Sequence, residues 1–261
     1  MGPAGDGKEN FVPKDKASAQ GQQTTLSEGV ASFLEARAFA YDIVKYAFLQ
    51  EPSEKFIRLL IEGEIIQAFP FADHNPPLRK ARDRIVQYLK EPDALSRKKA
   101  EGLHWDYTRM FIGPGKVPAP PWESIYTNVD HLYFSPETHE VRNAYRKYNL
   151  LPKAFGHEPD DHLGLELDFL HQLCEMAREK ARSEDEKGLV EILNDQKAFL
   201  DEHLLNWVPD WTRDVVKSAK TDFYKGMAQL LKAYLNLDHE MIEELLEAHS
   251  QKIQNLSEEV G

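Results

Sequence analysis

The sequence predicts an all-α protein, a single helical domain of about ten helices, with a Pro/Gly-rich hinge that would allow two helical subdomains. Three observations carry this. Apolar residues recur at helical spacing along most of the chain, no stretch alternates like a strand over a useful length, and Gly and Pro clusters separate the periodic runs.

Each element follows from its own residues. Phe33, Ala36, Ala40, Ile43, Val44, Ala47 and Phe48 define a first helix over Phe33–Leu49, with Ser27 or Ser32 as its cap. Glu51-Pro52 ends it, because proline disfavours helical geometry in the residue before it. A second begins at Ser53, with Phe56, Leu59, Leu60, Gly63 and Ile66 on one face, and stops at Phe69-Pro70. A third spans Leu78–Leu89. Pro92, at the first helical position, opens a fourth over Asp93–Phe111. Residues 125–134 fit a strand or a short helix equally.

Ser135-Pro136-Glu137 is a strong helix start, with serine as N-cap and proline following. Val141, Ala144, Tyr145 and Tyr148 form that helix's inner face. The next runs from Pro159 to about Arg182. Another covers Leu189–Trp207 and is expected to break at Pro209. Two more are placed over Val215–Leu235 and His239–Leu256. Residues 1–28, rich in Gly, Lys, Gln, Ser and Thr, read as a disordered tail ahead of a helical domain over 29–261.

Composition narrows the function. The 261 residues suffice for one large core. Thirty-two basic residues against 44 acidic ones give a net charge of -12, the wrong sign for nucleic acid, whose phosphates require a basic surface. One cysteine, Cys174, excludes an internal disulfide and a thiolate-rich metal site. It sits on an apolar stripe with Leu170 and Leu173, as a small buried hydrophobe would. No apolar run approaches the ~20 residues of a membrane span, and the start lacks the apolar segment of a secretory signal. The expectation is a cytoplasmic protein without membrane insertion.

The chemistry-bearing motifs are few. Gly113-Pro114-Gly115-Lys116 lacks the upstream glycine and the Ser/Thr of a phosphate loop. Glu101-x-x-His104 is a single copy of a pattern that di-iron bundles use twice. His139-Glu140 and His239-Glu240 lack the second histidine of a zinc helix. His203, between Phe199 and Trp207, reads as packing. No nucleophile has a base at motif spacing, so neither a catalytic residue nor a cofactor or metal is assigned.

The cluster His157-Glu158-Pro159-Asp160-Asp161-His162 stays open. It fits a divalent metal, a helix start with carboxylates at the positive end of the dipole, or a cleft that receives a ligand cation. Trp122, beside two prolines, reads either as core or as the wall of a binding site.

Taken together, Tyr107-x-x-Met110-Phe111-x-Gly113-Pro114, Pro120-Pro121-Trp122-Glu123-Ser124-Ile125-Tyr126 and Glu158-Pro159-Asp160-Asp161-His162-Leu163-Gly164 carry a resemblance. So do Phe199-Leu200-x-x-His203-Leu204-x-x-Trp207-x-Pro209 and Phe223-Tyr224. From about Ser32 to Leu237 the chain resembles the TorD/DmsD group of redox-enzyme maturation chaperones. The resemblance implies an all-α cytoplasmic protein, monomer or homodimer. Its partners would be the twin-arginine signal peptide and the apo-form of a molybdopterin oxidoreductase, held back from Tat export until the cofactor is inserted. The binding residues it implies are Tyr107, Met110, Phe111, Pro121, Trp122, Asp161 and His162.

Tyr107 stands where some members have tryptophan, and Glu123 where one branch has a small residue. A leader with two arginines beside an apolar stretch calls for carboxylates beside an apolar groove. Asp160, Asp161 and Glu123, flanking Tyr107, Phe111 and Trp122, are the expected lips of that groove. Two readings compete: a metal- or nucleotide-dependent hydrolase using the His157–His162 cluster, and a purely structural helical adaptor.

Overall fold

A computed structural model describes residues 15–128, 136–151 and 159–260. Among them there are helices and connecting turns but no strand, only an isolated bridge between Trp122 and His162. The helices are α1 (Asp15–Leu49), α2 (Glu54–Glu62), α3 (Pro76–Leu89), α4 (Arg97–Tyr107), α5 (Glu123–Thr127), α6 (Pro136–Lys147), α7 (Leu163–Arg182), α8 (Glu186–Phe199), α9 (Leu205–Ser218) and α10 (Asp222–Val260). Two π-helical turns interrupt the series, Thr108–Ile112 after α4 and Leu200–Leu204 between α8 and α9.

Several helices start where a side chain can take an orphan N–H. Ser53, Asn75, Ser96 and Asp185 accept from Phe56, Leu78, Lys99 and Gly188. Ser96, not Pro92, therefore opens α4, four residues later than expected. Helix α1 begins at Asp15, inside the segment expected to be a tail. Its Ala-, Lys- and Gln-containing stretch has no proline, and it extends an already packed helix without a new nucleation step.

Two further expectations change for tertiary reasons. Pro209 lies inside α9 instead of ending a helix. It sits one turn into α9, where it removes a single backbone bond. The two C-terminal helices are one, α10, because Asn236, Leu237 and Asp238 contain no breaker and Asp238 is buried by the fold.

Helix α1 lies along α7, and α10 along α3 and α9, with α8 between α7 and α10. Two glycines set how closely they approach. A Cβ on Gly164 would come within 2.5 Å of the Leu49 backbone where α7 starts against the end of α1, and one on Gly226 within 2.5 Å of Ile85 where α10 crosses α3. The core between these layers is strongly aromatic. Phe48 meets Trp211 edge-on at 4.9 Å, and Phe111 stacks on Trp211 at 6.0 Å.

Inside the core a charged network joins α1 to α10. Arg37 Nε donates to Asp238 Oδ1 at 2.6 Å and Nη2 to Oδ2 at 3.0 Å, while Nη1 donates to Gln196 Oε1 at 2.9 Å. The Tyr41 hydroxyl donates to Asp238 Oδ2 at 2.6 Å. Arg37, Gln196 and Asp238 are all fully buried. Cys174 accepts from Gln196 beside them, and burial pushes its thiol up to about 12, as befits a packing residue.

Removing one partner of such a pair leaves an uncompensated interior charge. Asp238→Ala is expected to lower stability by ~3–5 kcal/mol in urea unfolding, and the paired replacement Arg37→Met with Asp238→Leu by much less. A pair variant as unstable as the single one would assign the loss to packing instead of charge.

Candidate functional site

The candidate site is a junction where two irregular segments meet. The turn before α7 meets the chain entering α5. Glu123 N–H donates to the Asp161 carbonyl at 3.1 Å and Leu163 N–H to the Pro121 carbonyl at 2.8 Å, which makes the Trp122–His162 bridge. The Asp161 carboxylate then reaches across. Oδ2 accepts from Ser124 N–H at 2.9 Å at the start of α5, and Oδ1 from the Thr138 hydroxyl on α6 at 3.1 Å. One carboxylate thereby ties α5, α6 and the entry to α7.

Its neighbours are equally committed. Asp160 pairs with Arg142, and its carbonyl accepts from the Tyr145 hydroxyl at 2.9 Å. His162 caps α7, with Nδ1 accepting from Gly164 N–H at 3.0 Å. Burial lowers His162 to about 4, in keeping with a neutral ring whose Nδ1 is an acceptor. Its ring meets Trp122 edge-on at 5.7 Å. Helix α7 therefore begins at Leu163, not Pro159, and the carboxylates lie in the preceding turn.

Upstream, Ala119 N–H donates to the Met110 carbonyl at 3.2 Å, folding the proline turn back onto the π-helical turn after α4. Asp106, also buried, accepts from Arg109 and from the N–H groups of Lys220 and Thr221, just ahead of α10.

The structure brings the expected site residues together but changes what they do. Tyr107, Met110, Phe111, Pro121, Glu123, Asp160, Asp161 and His162 are all buried, and Trp122 is the one that remains partly exposed. Tyr107 donates to the Phe48 carbonyl at 3.4 Å, and Phe111 lies among Phe48, Trp211 and Tyr224. The expected groove of Tyr107, Phe111 and Trp122 with lips of Glu123, Asp160 and Asp161 is thus not an open surface. Two of its aromatic walls, Tyr107 and Phe111, are core, and its acids serve the backbone and neighbouring side chains, since a carboxylate taken from water must be paired.

His157 and Glu158 lie outside the described residues. The rest of the proposed metal cluster, Asp160, Asp161 and His162, is divided among Arg142, Ser124, Thr138 and Gly164. Among the described residues no group of three or more metal-ligating side chains converges.

Beneath Trp122, sequence reasoning missed an interior polar group. His203 Nδ1, expected as plain packing, lies 3.0 and 3.2 Å from the two Glu123 carboxylate oxygens. Glu166 of α7 is fully buried against Glu123 and the Trp207 indole.

A second feature also escaped notice. Between α1 and α7 a groove of about 750 Å³ is lined by Glu35, Phe39, Asp42, Pro70, Glu175 and Arg178, among others. Phe39 is 40% exposed there. Glu35, Phe39 and Asp42 share one helix face at i, i+4 and i+7, the signal that an exposed aromatic among acids would have given.

Asp161→Ala is expected to leave the Ser124 N–H and Thr138 hydroxyl without their acceptor. The cost should be about 2–4 kcal/mol, with faster amide exchange concentrated in α5. Exchange that rises uniformly across the chain would deny this carboxylate its local role.

Comparison with known proteins agrees with this architecture. The family described as nitrate reductase delta subunit matches residues 72–213, which contain both Trp122 and Asp161. The protein "Chaperone protein TorD" of Aliivibrio fischeri is 34% identical over 163 residues, 62% of this chain and 74% of its own length. Its namesake from Aliivibrio salmonicida is 28% identical over 79% of this chain and 94% of its own, and that of Vibrio parahaemolyticus 28% identical over 80% and 95%. The chain belongs to the TorD family of maturation chaperones, which are not enzymes.

Proposed function

We propose that this chain binds the twin-arginine signal peptide and apo-form of a molybdopterin-dependent oxidoreductase in the cytoplasm, and holds that enzyme until its cofactor is inserted. The observation that carries this reading is the junction itself. The motif residues converge on a rigid frame in which Trp122, alone of the expected site residues, stays partly exposed. A tryptophan held by a backbone bridge and a ring contact loses little further freedom on binding, which is what an interface anchor requires. No covalent step is involved. Binding and release are the whole of the activity.

The two arginines of a leader need accessible carboxylates, and those at the junction are occupied. Glu35, Asp42 and Glu175 in the groove between α1 and α7 are partly exposed beside Phe39, Ala36 and Pro70, and their present partners, Arg178 for Glu35 and Glu175 and Lys45 for Asp42, would have to be exchanged for those of the leader. In our reading Trp122 takes apolar residues of the client and this groove its cationic ones. Asp160, Asp161, His162, Tyr107, Met110, Phe111 and Pro121 hold the frame, and Glu123 anchors α5 from within.

Trp122→Ala is expected to weaken binding of a synthetic twin-arginine leader peptide about tenfold in calorimetry, the scale of an aromatic anchor. The double variant Glu35→Lys, Asp42→Lys should weaken it comparably and flatten its salt dependence. Affinity unchanged in both proteins would remove this site assignment. A leader that fails to bind the wild-type chain at all would remove the function.

A further inference from the structure

The interior group beneath Trp122 holds Glu166, the buried carboxylate that, among the described residues, has both oxygens without a hydrogen-bond partner of normal geometry. Glu123, at the start of α5, and Glu166, in the first turn of α7, are 1% and 0% exposed, and their side chains interact directly. Glu123 has His203 for a partner. Both oxygens of Glu166, the Trp207 Nε1 beside it and the Ser124 hydroxyl stay short of a hydrogen bond of normal geometry. Two carboxylates in contact, sealed from water, cannot both carry a charge at ordinary cost. A single proton held between them removes the repulsion and supplies a donor.

We propose that Glu123 and Glu166 share one proton, that this proton latches α5 onto α7, and that its loss releases the surface position of Trp122, the residue adjoining Glu123. The groups facing the pair come from every element around it: Tyr145 of α6, Asp161 in the turn before α7, His203 in the π-helical turn and Trp207 of α9. Asp161 adds negative charge from one side, which favours retention of the proton. Burial raises both glutamates above the ordinary carboxylate range; the Glu123 charge raises Glu166 further, whereas His203 and the bond to Glu166 draw Glu123 back down.

The unfolded chain gives up these protons near the usual glutamate value, whereas the folded chain keeps one. The stability this confers is complete below the unfolded value and declines as pH climbs through the folded one. Loss of the proton leaves like charges facing each other at the base of α5. The bridge then carries Trp122 between a fixed and a loosened state. This inference concerns the junction alone and holds whether or not the client is the one proposed above.

The four indole N–H resonances of the full-length protein, followed from about pH 5 to about pH 9, test the latch without any client. Trp207 and Trp122 are expected to shift together with one midpoint above the ordinary carboxylate range. Glu166→Gln and Glu123→Gln, which keep the shape and remove the shared proton, should each abolish the shift. In the wild-type infrared spectrum a protonated buried carboxyl band should be present at neutral pH. Indole resonances that stay fixed over the whole range, or that move equally in both variants, overturn the proposal. If neither variant folds, the wild-type titration and the infrared band decide it, since absence of that band also overturns it.

Discussion

Interior charge, more than any single packing contact, governs how this chain is put together. A carboxylate removed from water has to recover its hydrogen bonds from the protein. Asp106, Asp161 and Asp238 do so by reaching segments remote in sequence. Asp106 meets the backbone ahead of α10, Asp161 joins α5 and α6 to the entry of α7, and Asp238 joins α10 to α1. Each fixes the mutual placement of helices whose apolar faces alone would permit sliding. Glu166 departs from the pattern, with no satisfied oxygen, and it lies directly under the family's motif residues.

That arrangement separates two jobs which a motif comparison merges. Asp161 ties α5 and α6 to the entry of α7, whereas Tyr107 and Phe111 pack among Phe48, Trp211 and Tyr224. Trp122 is the expected site residue that this frame leaves partly exposed. On the proposed function both matter, since a loosely held aromatic loses its binding energy to ordering. Accessible negative charge lies elsewhere, along α1 and α7, on a chain whose acidic excess already favours cationic partners.

Much of the fold was legible from local signals. The starts of α2 and α6 follow from Ser53 and the proline at Pro136, since capping is a short-range property, whereas α3 opens at Pro76 behind Asn75, two residues ahead of the expected Leu78. The residues of the site were legible too, as a spaced set of motifs. Their roles were not. Asp160 and Asp161 look alike in sequence to carboxylates that face a ligand. Only the positions of Arg142, Thr138 and Ser124 turn them inward. His203 and Glu123 lie eighty residues apart, and nothing local announces their pairing.

The sequence by itself determined an all-α chain of TorD type, its acidic character and the short list of residues gathered at one junction. Helical periodicity, capping and charge are properties of neighbouring residues, so they can be read without coordinates. Tertiary structure decided which of those residues meet solvent, that α10 runs unbroken through Asp238, and that two glutamates face each other in the interior. Burial and long-range pairing depend on the helices lying against one another, where low dielectric makes a distant partner matter more than an adjacent one.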